Sequence, residues 1–351
     1  MNQLCELKIE GFKSIQKMEM KFTNRNILIG GNGAGKSNLL SFFEMLQRIK
    51  KCELQNYVIE QGGMNALLYN GRKQTRDCYF AIKRDPYMFY GRINAKNTDE
   101  CYFEQQGLYN YVEQHNYYAA DGFPELKDGG LIKQSRVLSD IGLYHFHDTS
   151  ILSPMKAFCN IYNNIELAVD GSNIAAILYR IKINEPDLYH YIVQIIQLSA
   201  PYLQDFVLRA NPLNPEVIRL EWKKAGCDIP FGVNQLSDGT LRFICLVTLL
   251  CQPEEMKKDI ICIDEPELGL HPYAVTIITE LMKKYAKKRQ IIIATQSADF
   301  VDAFNPQDII VVDNEDGNSI FRRLCEEDLK DWMEDYSLGE IWKKNIIGGR
   351  P

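Results

Sequence analysis

The sequence has no stretch approaching the roughly 18 consecutive apolar residues of a membrane span, and its apolar run Ile291–Ala294 is only strand-sized. The opening MNQLCELKIEGFKSI lacks the apolar core that a secretory signal needs, so the chain is expected to be cytoplasmic. None of its 10 cysteines is spaced as CxxC, which argues against a zinc site or a disulfide frame. Several, such as Cys245, Cys251 and Cys262, lie inside apolar runs and read as small buried hydrophobes in a reducing compartment. Positive charge is not in excess either: 40 Lys+Arg stand against 46 Asp+Glu, a net charge of −6. That balance argues against a general nucleic-acid coat or a polybasic membrane binder, while leaving room for a local basic patch. Internal repeats, low-complexity tracts and heptad arrays are also missing. What is present is the composition of an ordinary globular protein, 46% hydrophobic and 25% charged. At 351 residues it suits one large domain or two smaller ones.

Short strands are expected at 4–10 and 26–30, the second ending on glycine, followed by a helix from Lys36 to about Lys51. Leu39, Leu40, Phe43, Leu46 and Ile49 recur along that helix at helical spacing. Residues 77–118 are rich in Tyr and Phe with polar alternation, which predicts antiparallel strands and hairpins, whereas 121–160 read mostly as loop. Helical spacing returns over about 172–199, and strand-like segments follow at 205–209 and 216–222. From 237 onward helices (239–251, 272–288, 298–304) alternate with strands (259–263, 290–294, 308–312), then short closing helices at 326–343. That alternation predicts a mostly parallel sheet with covering helices.

Residues 30–37 read Gly-Gly-Asn-Gly-Ala-Gly-Lys-Ser, a full GxxxxGK[ST] match between a predicted strand and a predicted helix. Glycines there let backbone N–H groups converge on phosphate oxygens, and the helix N-terminus adds a favourable dipole. Asn32, Gly33, Ala34, Gly35, Lys36, Ser37 and Asn38 are therefore candidate ATP-binding residues. Lys36 would reach the β- and γ-phosphates, and Ser37 would ligate Mg²⁺. Eight agreeing positions and the flanking pattern outweigh the bland reading of a glycine-rich turn.

Residues 259–265, Asp-Ile-Ile-Cys-Ile-Asp-Glu, place two adjacent carboxylates at the end of a predicted buried strand, where open α/β sheets hold their ligands. Asp264 suits the Mg²⁺ shell, and Glu265 suits orienting and polarising the attacking water. The segment Gln235–Arg242 (QLSDGTLR) precedes a helix that Ser237 can cap, and Gly239 allows close backbone approach, so the turn offers a second phosphate cradle. Taken alone it would be an ordinary N-cap. Its place about twenty residues before the paired acids is what raises its interest.

GGNGAGKS, LSDGTLR and IICIDEPELGLHP, in that order, resemble the Walker A, signature and Walker B/D-loop motifs of the ATP-binding cassette (ABC) superfamily. The opening Leu7-Lys-Ile-Glu-Gly-Phe-Lys-Ser14-Ile resembles the start of its RecF/SMC branch. Within that branch the chain is similar to small AAA family ATPases related to the overcoming-lysogenization-defect proteins. It shares His145-Phe-His-Asp-Thr-Ser150, Asp170-Gly-Ser-Asn173, Thr295-Gln-Ser297 and an ending from Tyr336-Ser-Leu-Gly-Glu-Ile-Trp to Ile347-Gly-Gly-Arg-Pro351. The resemblance spans essentially the whole chain and is weakest over about 50–135. It implies an α/β fold: an ABC-type P-loop NTPase head with a mixed or parallel sheet, an antiparallel β subdomain and an inserted helical lobe. On this reading 1–60 and 200–351 form the nucleotide-binding core and 61–199 the insertion.

The resemblance further implies a homodimer that sandwiches two ATPs, with Ser237 and Gly239 of one subunit touching the γ-phosphate held by Lys36 of the other. Glu267–Pro272 would run along that two-fold interface as the D-loop. Where transporters carry a switch histidine this sequence has Gln296, which can hydrogen-bond a phosphate or water but cannot titrate, so hydrolysis is expected to be slow. The Q-loop glutamine is not assigned among Gln61, Gln74, Gln105 and Gln106. His145, His147 and Asp148 have no third imidazole nearby in sequence and read as structural or nucleotide-neighbouring rather than metal-binding. The run from Lys283 to Arg289 reads as a solvated helix end, and the Tyr-rich region as a β-layer rather than a base-stacking platform.

Relatives often carry a C-terminal TOPRIM nuclease domain, for which the roughly 50 residues after Gln296 leave no room. The leading expectation is therefore an ATP-operated switch that controls a separate effector, a nuclease or toxin, in prokaryotic anti-phage defence or a toxin–antitoxin-like module. The alternative is a RecF/SMC-like DNA-repair ATPase, which the acidic balance disfavours while leaving nucleic-acid contact open. A transporter subunit and a hidden nuclease are weaker readings, and no membrane partner is expected.

Overall fold

The computed structural model describes residues 3–96, 100–118, 137–138 and 141–350. Packing divides the chain into two units, one of residues 1–143, 259–264 and 286–351, the other of 144–258 and 265–285.

The first unit holds two six-stranded sheets. One is antiparallel throughout, in the spatial order Ile15–Lys21, Glu6–Phe12, Asp77–Arg84, Tyr87–Ala95, Cys101–Asn110 and His115–Tyr118. Period-two alternation explains its two faces: Leu7 and Ile9 are fully buried while Glu6, Lys8 and Glu10 are not, and Glu10 stands opposite Lys17. Residues 77–118, grouped with the insertion from sequence, extend this sheet from the pairing of Asp77–Arg84 with Glu6–Phe12 and so belong to the first unit.

The second sheet runs Asn318–Arg323, Ile309–Glu315, Arg25–Ile29, Gln290–Thr295, Ile260–Asp264 and Ile141–Tyr144. Ile309–Glu315, Gln290–Thr295 and Arg25–Ile29 are mutually parallel, as are Ile260–Asp264 and Gln290–Thr295, so these strands read as continuous Ile/Val/Leu runs with both faces covered. Asn318–Arg323 is antiparallel to Ile309–Glu315. The register puts Thr295 beside Ile29 and Asp264 beside Ala294, so Gly30, Gln296 and the Asp264 carboxylate leave the sheet along one edge. Helix Lys36–Lys50 packs against Ile260–Asp264 and buries Leu39, Leu40, Phe43, Leu46 and Ile49, the stripe expected from their spacing, together with Phe42.

In the second unit, helices Ile174–Asn184, Pro186–Ser199 and Asp238–Cys251 pack on one another. The helical spacing expected over about 172–199 is carried by two helices, because Pro186 lacks the N–H that would continue the first and opens the second at its first position. Two small antiparallel sheets accompany them. The loop expected over 121–160 contains the strand Ile141–Tyr144, while 121–136 lie outside the described residues. That strand stops before His145. Cys245, Cys251 and Cys262 are buried, and burial pushes their thiols well up, as inert core residues require. Among the described residues no helix is long and apolar enough to cross a membrane.

Candidate nucleotide site

The glycine-rich turn leaves the sheet at Ile29 and enters helix Lys36–Lys50 through Gly35, whose φ of 117° no side chain tolerates well. Gly35 is also sterically required, since a Cβ there would stand 2.0 Å from Ser319 Oγ. Asn32, Gly33 and Ser37 are exposed, Ala34, Gly35 and Lys36 are buried, and Asn38 lies between. Nothing lies within 4 Å of the Cβ position at Gly33, which leaves open space over the turn for phosphate. The Lys36 ammonium docks back onto the turn, donating to Gly30 O at 2.5 Å and to Gly31 O at 3.0 Å. A cation held among backbone dipoles beside an open glycine turn fits a polyphosphate.

Support comes from residues distant in sequence. Ser319 Oγ donates to Ala34 O at 2.6 Å and shares a 2.6 Å hydrogen bond with Ser14 Oγ, which accepts from Asn38 Nδ2 at 2.6 Å. Ser14 thus reaches both the turn and its helix. Its role and that of Ser319 carried no local signal. Lys13 donates to Ser41 Oγ at 2.6 Å and Gln61 Oε1 at 2.8 Å, and burial lowers its pKa. None of Gln61, Gln74, Gln105 and Gln106 sits on the parallel sheet. The edge strand beside Ile260–Asp264 leads instead into His145–Ser150.

Asp264 ends its strand half-buried on the same edge, and the next residue, Glu265, takes φ +43°, an uncommon conformation for a side-chain-bearing residue. Gln296 follows Thr295, whose Oγ1 accepts from Ser297 N at 3.0 Å, and Ser297 in turn caps the short helix Ala298–Val301. Among the described residues no group of three or more His, Cys, Asp or Glu could hold a metal ion. Mg²⁺ needs no such group, since it takes one or two protein oxygens beside phosphate and water. The exposed Ser37 hydroxyl and the Asp264 carboxylate are such oxygens.

In the second unit Ser237 caps helix Asp238–Cys251 as its residue type predicts, accepting from Thr240 N at 3.2 Å. Gly239 must be glycine for a reason unrelated to phosphate: a Cβ would stand 2.3 Å from Gly269 O. The close approach is thus to the 267–272 turn. Arg242, not singled out from sequence, organises this region. Its guanidinium donates to Phe146 O at 3.1 Å, His147 O at 2.8 Å and Leu268 O at 2.9 Å, in the fork geometry that only arginine offers. Hydrogen bonds from Ser150 hold the exposed Asp148 carboxyl below its usual range, so it is no proton donor near neutrality. Asn173 is fully buried and structural, donating to Asn163 O and Glu166 O at 2.9 Å and accepting from Ala168 N at 2.8 Å.

The other charged and aromatic features are accounted for locally. Lys283 pairs with Glu280 at 2.7 Å, and Lys284 lies 5.1 Å from the Tyr191 ring centre. Tyr79, Tyr90, Tyr109 and Tyr111 line an open groove of about 570 Å³ on the antiparallel sheet. Its Arg92 and Lys8 are already paired, with Asp77 at 2.5 Å and Glu10 at 3.5 Å, which weakens it as an anion site.

A family described as "AAA domain, putative AbiEii toxin, Type IV TA system" matches residues 114–302, and one described as "AAA ATPase domain" matches residues 3–138. Among solved structures, an Smc head bound to the C-winged helix domain of ScpA aligns with a TM-score of 0.60 at 16% identity, covering 93% of this chain and 99% of that one. A Pyrococcus furiosus Smc head with an extended coiled coil, bound to the C-terminal domain of ScpA, aligns with a TM-score of 0.57 at 16% identity, covering 95% and 99%. The fold is that of an ABC-type P-loop ATPase head. No curated protein matches.

Proposed function

Because this chain belongs to the AAA family described as a putative AbiEii toxin domain of a type IV toxin–antitoxin system, we propose that its ATPase works as a switch controlling a separate effector protein. The observation that carries the reading is the glycine turn with its docked Lys36, opening along the sheet edge from which Asp264 and Gln296 emerge. In the proposed cycle Lys36 and the backbone N–H groups of Asn32–Ser37 bind the triphosphate, and Ser37 and Asp264 hold Mg²⁺. When bound there, Mg²⁺ would supply neutralisation of the charge that develops on the phosphate oxygens. Glu265, one peptide bond beyond Asp264, orients the attacking water and accepts its proton, while Gln296 hydrogen-bonds water or phosphate. Ser237 and Gly239 of a second copy close the site, so that ATP joins two chains symmetrically in the cytoplasm.

The effector in this reading is a nuclease or toxin that supplies the output chemistry, and the family's description as a putative AbiEii toxin of a type IV toxin–antitoxin system supports placing the pair in a toxin–antitoxin-like or anti-phage role. The Smc heads similar in fold bind a ScpA domain, so a head of this shape can carry a protein partner. A RecF/SMC-like role on DNA is the second reading, supported by the fold and opposed by the −6 charge. The test is sedimentation of Glu265→Gln with Mg-ATP. A stable dimer that retains ATP is expected, because geometry survives while the base is lost. A monomer, or wild-type hydrolysis, sinks the assignment. Lys36→Ala should neither bind ATP nor dimerise.

A further inference from the structure

The shared ending Gly348-Gly349-Arg350 has no part in the proposed cycle, lies outside both matched family segments, and packs against the glycine turn. A Cβ at Gly31 would stand 2.6 Å from Arg350 O, and one at Gly349 would stand 3.5 Å from both Gly30 Cα and Ile29 O. Gly31 therefore has no room for a side chain beside Arg350, and Gly349, where a Cβ would stand 2.7 Å from Val311 Cγ1, lies at ordinary contact distance from Gly30 and Ile29. Gly348 and Gly349 adopt φ of 75° and 60°, the left-handed region that favours glycine.

This segment is tied down on every side. Gly349 N donates to Asp313 Oδ1 at 2.6 Å, Gly349 O accepts from the indole N–H of fully buried Trp342, and Ile347 O accepts from Arg322 Nη2 at 2.6 Å. The helix preceding it, Leu338–Lys343, opens on a capping box of Ser337 and Glu340. It is held to Asp302 by Gly339 N at 2.6 Å and Ser337 Oγ at 3.1 Å. Asp302 directly follows the short helix Ala298–Val301 beyond Gln296.

We propose that Ile347–Arg350 is a strap of the nucleotide site, with Asp313 and Trp342 as positioning residues that act through Gly30 and Gly31 on Lys36. The physical reason is that Gly30 O and Gly31 O are the acceptors holding Lys36 Nζ. Glycine turns have many conformations, and a wall that removes most of them before ATP arrives saves that entropy from the binding step. Lys36 is the group aimed at the β- and γ-phosphates, so a loosened strap should weaken ATP more than ADP. The inference rests on the ATP-binding reading above.

The experiment titrates fluorescent ATP and ADP analogues, with Mg²⁺, onto the full chain. Asp313→Ala removes the acceptor of Gly349 N, and Asp313→Asn keeps an Oδ1 acceptor. With unchanged circular dichroism, Asp313→Ala should weaken ATP binding by about tenfold and lower the ATP-to-ADP affinity ratio, whereas Asp313→Asn should stay within about threefold of wild type. If Asp313→Ala does not fold, Trp342→Phe, which deletes the indole N–H and keeps an aromatic ring, carries the same expectation. Unchanged or tighter ATP binding, or equal losses for ATP and ADP, overturns the strap. A wild type that does not bind ATP overturns the reading beneath it as well. Binding that depends on Lys36 but not on the strap overturns the strap alone.

Discussion

At the scale of single residues, glycine carries two different meanings in this chain. Gly33 faces open space and leaves room for a ligand, whereas Gly35 and Gly239 are small because Ser319 Oγ and Gly269 O occupy the place of a side chain. Gly239→Ala should accordingly cost stability, roughly 1–3 kcal/mol, since its neighbour is backbone that must shift. Thermal unfolding of the purified variant measures this, and a melting temperature equal to wild type would show that the 267–272 turn yields freely. Lys36 shows the same dependence on context: its ammonium is not waiting in solvent but is already placed by two carbonyls of its own loop.

Among the elements, the helix Asp238–Cys251 does more than present its capped N-terminus. Through Arg242 it holds the carbonyls of Phe146 and His147 and the turn at Leu268 in one arrangement. Bonds from a charged donor to three carbonyls stabilise more than neutral ones, and losing the donor leaves those acceptors unsatisfied. Arg242→Ala should therefore destabilise the chain by roughly 2–4 kcal/mol, and Arg242→Lys should recover only part of that, because an ammonium cannot span a fork. Denaturant unfolding of the two variants checks the ranking. Equal stability of Lys and Arg at 242 would mean that charge alone matters there. The element boundaries follow local chemistry: Pro186 divides a helix that apolar spacing alone would continue, and Ser237 and Ser297 start helices by accepting their third N–H.

For the whole molecule, the fold is that of an ABC-type ATPase head, and in the proposed switch its output is a change of state delivered to another protein, a reading that the −6 charge favours over a role on DNA. Such a device needs dwell time more than throughput, and Gln296 in place of a titrating residue suits that requirement. The purified chain is expected to hydrolyse ATP well below tens of turnovers per second, measured as phosphate release under saturating Mg-ATP. Sustained turnover at that rate without a partner would contradict a timing role and favour a working hydrolase.

The glycine turn into a helix, the acids at a strand end and the helix cap could be read from the sequence because each is built from contiguous residues whose types dictate local backbone geometry. The parallel sheet was legible for a similar reason, since strands buried on both faces must be continuous apolar runs. The strands Ile15–Lys21 and Asn318–Arg323 escaped notice because their charged positions dilute the alternation that pairing makes sense of. Tertiary structure alone decided which distant groups complete the site. Ser14 meets Ser319 across 305 positions, Arg242 reaches back about 95 to Phe146 and His147, and Gly349 reaches Asp313 and Gly30. Hydrogen bonds and close packing depend on distance in space, and no local pattern of residue types encodes a partner that only the folded chain brings near.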